Sequence, residues 1–220
     1  MDPTAACPVP AEASLAALEA EGRALDEVLH GLHGRWWELP TRLPAWSVRE
    51  LLGHVVRGVD RIRAYLEEPT PPAALTDWLG YWTPSDGAEA EQVAERAKGY
   101  AALYEPDELV TMWTDLRQRS VELARAAAPD VVIPSVIAPL RLDHYLTSRV
   151  LEVTVHGLDL RDALGLEQVA TPPALEVTCA VLDGLLGGER PAALANDPIG
   201  FVLAATGRVS FSDDRLPVLS

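Results

Sequence analysis

The stretch Leu142-Asp143-His144-Tyr145-Leu146-Thr147-Ser148-Arg149-Val150-Leu151-Glu152-Val153-Thr154-Val155-His156-Gly157-Leu158-Asp159-Leu160-Arg161-Asp162-Ala163-Leu164 decides how this chain is read. Turned at about 100° per residue it forms a helix that Gly165 ends. Leu142, Leu146, Val150, Val153, Leu160 and Leu164 make one apolar stripe, and Leu151, Val155 and Leu158 make another on the opposite side. Glu152 and His156 fall within about 40° of each other between the stripes, so both are expected to point into the core. Asp143, Thr147, Thr154 and Arg161 are expected to form a polar back, and His144 to lie at the surface or behind the Glu152–His156 pair. A carboxylate among apolar neighbours must be paired, protonated or bound to a cation, because bare burial is costly. One reading is a core pair of Glu152 with His156 or with Arg149; the other is a metal site, which one helix alone cannot complete.

A second helix supplies a third donor. Ser47 followed by Glu50 is a capping-box pattern, which starts a helix running to about Leu66. On it His54 lies at the edge of the arc formed by Val48, Leu51, Val55, Val59 and Ile62. Joined to Glu152 and His156, it gives two histidines and one carboxylate from two facing helices, with coordination positions left open. That set is common for zinc and also serves non-haem iron. Arg57 and Arg61 flank His54 and form either a solvated face or a clamp for a substrate carboxylate, which the guanidinium fork suits.

Outward from these helices the chain reads as mainly α. Helices are expected over 11–32, 88–104, 106–128 and 171–186, with a flexible leader over 1–10. The Pro- and Trp-rich connection from Pro69 to Gly87 is long enough to be a lid or pocket wall. A short extended segment fits 131–137, and a mixed tail follows Gly188. The net charge of -15 over 220 residues argues against nucleic acid and anionic membrane surfaces. No run reaches the length of a membrane span, and the N-terminal residues lack the pattern of a signal peptide, so the cytoplasm is the expected compartment. Cys7 and Cys179 are too few and too far apart for a disulfide framework or thiolate site, and Cys7 is expected to be an inert tail cysteine.

Two segments resemble a known family. Leu43-Pro44-Ala45-Trp46-Ser47-Val48-Arg49-Glu50-Leu51-Leu52-Gly53-His54 resembles the first signature of the DinB-like, mycothiol-dependent maleylpyruvate isomerase group. Arg149-Val150-Leu151-Glu152-Val153-Thr154-Val155-His156-Gly157-Leu158-Asp159-Leu160 resembles the second. The resemblance implies a DinB-like four-helix bundle over 11–165, with a short helical or mixed C-terminal extension over 166–220. It implies that His54, Glu152 and His156 bind a divalent metal, commonly zinc. It also implies a small-molecule thiol such as mycothiol as cosubstrate and a small electrophile as substrate, with isomerase or S-transferase chemistry. The family's isomerases carry a further C-terminal domain with an active-site arginine; here about 55 residues follow Gly165, and Arg208 in the patch Ala204–Arg208 is not assigned that role.

A metal-dependent hydrolase and a non-catalytic metal-stabilised binding module would use the same three ligands. The expected assembly is a monomer or homodimer. His30 and His33 share a helix end and are expected to be exposed. Trp46, Trp78, Trp82 and Trp113 serve either as pocket wall or as core, and Asp159 either as a support behind His156 or as a helix-end carboxylate.

Overall fold

The computed structural model of the chain describes residues 2–44, 46–82 and 87–219. Seven α-helices follow one another: α1 (Ala11–Leu29), α2 (Val48–Glu67), α3 (Gly87–Ala101), α4 (Pro106–Ala126), α5 (Leu142–Ala163), α6 (Pro172–Leu186) and α7 (Pro198–Ala205). Strands β1 (Val132–Ile133) and β2 (Leu140–Arg141) pair antiparallel between α4 and α5. Four helices close a ring: α2 packs on α4, α4 on α1, α1 on α5, and α5 back on α2. That ring is the helical bundle. Helix α3 lies against α2, α6 fills the groove between α1 and α5, and α7 rests on α6.

Local chemistry sets the ends of α2 and α6. Ser47 caps α2, its hydroxyl accepting from the Glu50 backbone N–H while the Glu50 carboxylate accepts from the Ser47 N–H. Thr171 begins α6, followed by prolines, and Gly187 stops it in the left-handed conformation at φ 67°. The Glu21 carboxylate of α1, itself buried, accepts from both the backbone N–H and the hydroxyl of Thr171. This ties the first turn of α6 to the bundle.

Two expectations need correction and a third is sharpened. Helix α5 has no polar back: Asp143, Thr147 and Thr154 are all buried. Helices α1, α2 and α6 all pack on α5 and the leader docks on its first turn, so little of its circumference is left to solvent. Thr147 and Thr154 tolerate burial because their hydroxyls donate to the carbonyls of His144 and Val150. Asp143 is held by Arg141 at 2.8 and 3.0 Å. The leader, second, is docked: Cys7 and Val9 join the core, and His144, 1% exposed, has its Nε2 3.0 Å from the Ala5 carbonyl oxygen. The tail, third, is packed more firmly than a mixed segment requires: its helix α7 buries Phe201 and Val202 fully, in keeping with a helical or mixed extension.

The remaining aromatic positions divide. Trp113 is core, its indole N–H donating to Asp26 at 2.7 Å, and Trp78 packs against Gly184 of α6. Part of the Pro69–Gly87 connection, residues 83–86, lies outside the described residues. Its preceding portion carries Tyr81 into the core. No described helix is long and apolar enough to cross a membrane.

Candidate metal centre

Helices α2 and α5 bring His54, Glu152 and His156 together, with one ligand atom from each inside a span of 4.8 Å. The Glu152 Oε2 atom lies 3.1 Å from His54 Nε2 and 3.3 Å from His156 Nε2. With ligand bonds of about 2.0–2.1 Å, a tetrahedral ion separates its ligands by about 3.3 Å. Two edges of the triangle therefore have the dimensions of a tetrahedral face. The side chains of His54, Glu152 and His156 keep 16, 24 and 10% exposure, so they line an opening and Glu152 is not sealed in the core as its helix position suggests.

The hydrogen-bonding around His156 narrows what fits between these atoms. Its Nδ1 lies 3.0 Å from Asp159 Oδ2, a residue with no exposed surface. A neutral His156 that donates through Nδ1 turns a lone pair on Nε2 towards Glu152, which as a carboxylate has only lone pairs to offer. Something positive must stand between them: a second proton on the imidazole or a cation. Without an ion, the proton fills this role. Burial opposes charge on His156, but the hydrogen bonds to Asp159 and Glu152 outweigh it and raise its pKa. Burial likewise works against the Glu152 carboxylate, yet the bonds from His156 and His54 and the charge of Arg149 hold its pKa well below the usual range. Burial pushes the pKa of His54 down, which favours a free lone pair. The donor types, spacing and protonation preferences fit a divalent ion.

Around the three, Trp46 stacks on His54 with centroids 4.7 Å apart and meets His156 edge-on at 6.0 Å. Asp159 is held from beyond the bundle: Arg208, just past α7, reaches it at 3.0 Å, and Arg42 lies 3.5 Å away while also pairing with Asp162 at 2.7 Å. Asp159 thus stands directly behind His156 and fixes its ring. Its position three residues on in the same helix was a usable signal; nothing local in the sequence marks Arg42, Arg208 or the Trp46 stack.

Arg149 is not the direct partner of Glu152. Its guanidinium donates instead to Ser148 Oγ at 3.1 Å and Tyr81 Oη at 3.2 Å and lies over the Tyr145 ring at 4.7 Å. Arg57 and Arg61 are half-buried on α2, and among the described residues neither bonds to the three candidate ligands. The Arg61 guanidinium lies over the Tyr65 ring at 5.5 Å. His30 and His33 are exposed, each with Nδ1 close to a backbone carbonyl, and stand outside the cluster.

Fold and site together define a helical bundle with two histidines and a carboxylate facing a partly open seam between two of its helices. The chain belongs to the mycothiol maleylpyruvate isomerase N-terminal domain family, whose sequence pattern matches residues 18–161. Two uncharacterised proteins of Mycobacterium tuberculosis, from strains CDC 1551 / Oshkosh and ATCC 25618 / H37Rv, are each 31% identical over 160 residues. The match takes in 71% of this chain but 58% of theirs, so the chain spans well under two thirds of the length of these relatives. Crystal structures of the mycothiol-dependent maleylpyruvate isomerase and of a histidine-to-alanine mutant of it share the fold, at TM-scores of 0.61 and 0.62. Both are 17% identical, with 92% of this chain and 91% of the other covered.

Proposed function

We propose that His54, Glu152 and His156 bind one divalent metal ion, zinc in the first instance, and that the site uses a small-molecule thiol such as mycothiol on an electrophilic substrate, as an isomerase or S-transferase. The observation that carries this is the convergence of three donor atoms within 4.8 Å, two of their spacings being those of a tetrahedral ion, in a chain of this family. An ion bound there would lower the pKa of a coordinated thiol and make thiolate available at neutral pH.

The chain's own residues prepare the site. Asp159 accepts the Nδ1 proton of His156 and so directs the Nε2 lone pair into the seam. Burial works against charge on Asp159, but His156 and Arg208 hold its pKa below the usual range and fix it, with Arg42 3.5 Å away. The Trp46 indole covers the His54 ring and excludes water from that flank. In this proposal residues 11–165 form the unit that carries the ligands, and the extension over 166–220 supplies Arg208 as a support. Titrating mycothiol into cobalt-substituted protein tests the thiol step. A sulfur-to-metal charge-transfer band is the expected result, weaker with simple thiols; no spectral change at saturation would refute thiol use.

A further inference from the structure

We infer that the Arg149 guanidinium binds a carboxylate group of the electrophilic substrate, beside the proposed metal site. The inference rests on the thiol-dependent reading above and adds to it the residue that would hold the substrate.

Helices α2 and α5 run in opposite directions along their shared seam. His54 faces Glu152, and one turn further along Gly58 faces Arg149: a Cβ at Gly58 would lie 3.2 Å from Arg149 Nη1. The guanidinium thus occupies the next layer of the same seam, about 5 Å along the helix from Glu152. Arg149 is 6% exposed, and a charge so buried normally carries a carboxylate partner. Arg149 has none among the described residues. Its Nε and one terminal nitrogen donate to the neutral hydroxyls of Ser148 and Tyr81, and Nη1, the nitrogen over Gly58, makes no hydrogen bond to any described residue.

Other observations suit Nη1 to an anion. The aromatic faces of Tyr145 and Tyr81 flank the guanidinium at 4.7 and 5.9 Å, which favours its charge without supplying Nη1 a hydrogen-bond acceptor. Gly58 sits in mid-helix, where glycine is unfavourable, and its missing Cβ lets Nη1 approach the α2 backbone along the seam. The chain as a whole carries a net charge of -15, so an anionic substrate needs a local positive group to hold it. A planar fork with an unused edge matches a carboxylate better than a phosphate-free, uncharged group of the same size. A purely structural Arg149, balancing Glu152 through space, would affect stability alone.

The test is a calorimetric titration of the full chain with succinate and with its uncharged diamide, zinc-loaded and chelator-stripped, with metal content measured on every sample. Wild type should bind succinate and not the diamide in both states. Arg149→Met should weaken succinate binding about tenfold or more, and Arg149→Lys by less, with zinc content unchanged. Gly58→Ala, which keeps the guanidinium but crowds Nη1 with a Cβ at 3.2 Å, should fold and also weaken succinate binding several-fold; it decides the matter if Arg149→Met does not fold. Equal succinate affinity in wild type and every folded variant, diamide binding as tight as succinate, or no succinate binding by wild type overturns the inference. Because metal content is read separately, loss of the carboxylate site and loss of the metal site are told apart.

Discussion

Replacing Asp159 by Asn removes one charge and almost no volume at a position with no solvent exposure. Three contacts change at once. His156 Nδ1 loses an ionised acceptor at 3.0 Å, Arg208 loses its partner at 3.0 Å, and Arg42 loses one at 3.5 Å. The first governs metal binding, because an amide can present either its oxygen or its N–H to the ring and no longer enforces one tautomer. Supports of this kind are worth about 10–100-fold in metal affinity, equivalent to about 1.4–2.7 kcal/mol. The other two govern stability. Arg42 keeps Asp162 at 2.7 Å and Arg208 keeps the Thr206 carbonyl at 2.8 Å, so neither guanidinium is stranded. The expected loss is therefore about 1–3 kcal/mol, below the cost of breaking a fully buried pair. For a chain of this size that lowers the Tm by roughly 2–10 °C. Zinc affinity by competition with a chromophoric chelator, together with calorimetric melting, measures both quantities. A zinc affinity equal to wild type in Asp159→Asn would refute the argument that Asp159 sets the His156 donor.

The other expectations are simpler. Stripping the metal should lower the melting temperature, since the ion binds only the assembled site, and the shift should be absent in His156→Ala. Arg57→Ala and Arg61→Ala should keep full metal content, because neither side chain bonds to the ligands; loss of metal would show an indirect role. Burial pushes the Cys7 thiol up to about 11, from an ordinary 9.0. Folding therefore favours the protonated thiol: this contribution to stability is full below about pH 9 and is lost as pH rises through about 11. Native Cys7 should accordingly react with iodoacetamide at pH 8 far more slowly than in the unfolded chain, and equal rates would show that the leader does not dock.

What the sequence made legible was local. The capping box at Ser47 and Glu50 is a short-range device, and the start of α2 follows from it. The angular relation of Glu152 to His156 is a property of one helix, and pairing it with His54 needed only a second helix with its own apolar arc. The errors arise where distant segments meet. The polar back expected on α5 is lost to tertiary packing by several distant segments, and Thr147 and Thr154 are buried with their hydroxyls turned onto the backbone. A leader rich in proline reads as loose, yet Cys7 and Val9 reach the core and Ala5 meets His144. Arg42 and Arg208 approach Asp159 from segments more than 40 residues away on either side, with no periodicity to announce them. Arg149, three positions before Glu152, is one of the partners that the sequence allows Glu152, whereas Tyr81, brought in from the 69–82 connection, and Ser148 take its hydrogen bonds.

The central claim is that His54, Glu152 and His156 hold a metal ion, and elemental analysis of the full chain tests it most directly. Protein purified without chelator, or reconstituted with zinc and desalted, should carry close to one divalent ion per chain. His54→Ala, Glu152→Ala and His156→Ala, each verified as folded by circular dichroism, should each lose most of it. Wild type without bound metal after zinc addition, or folded single variants that retain the full complement, would contradict the account.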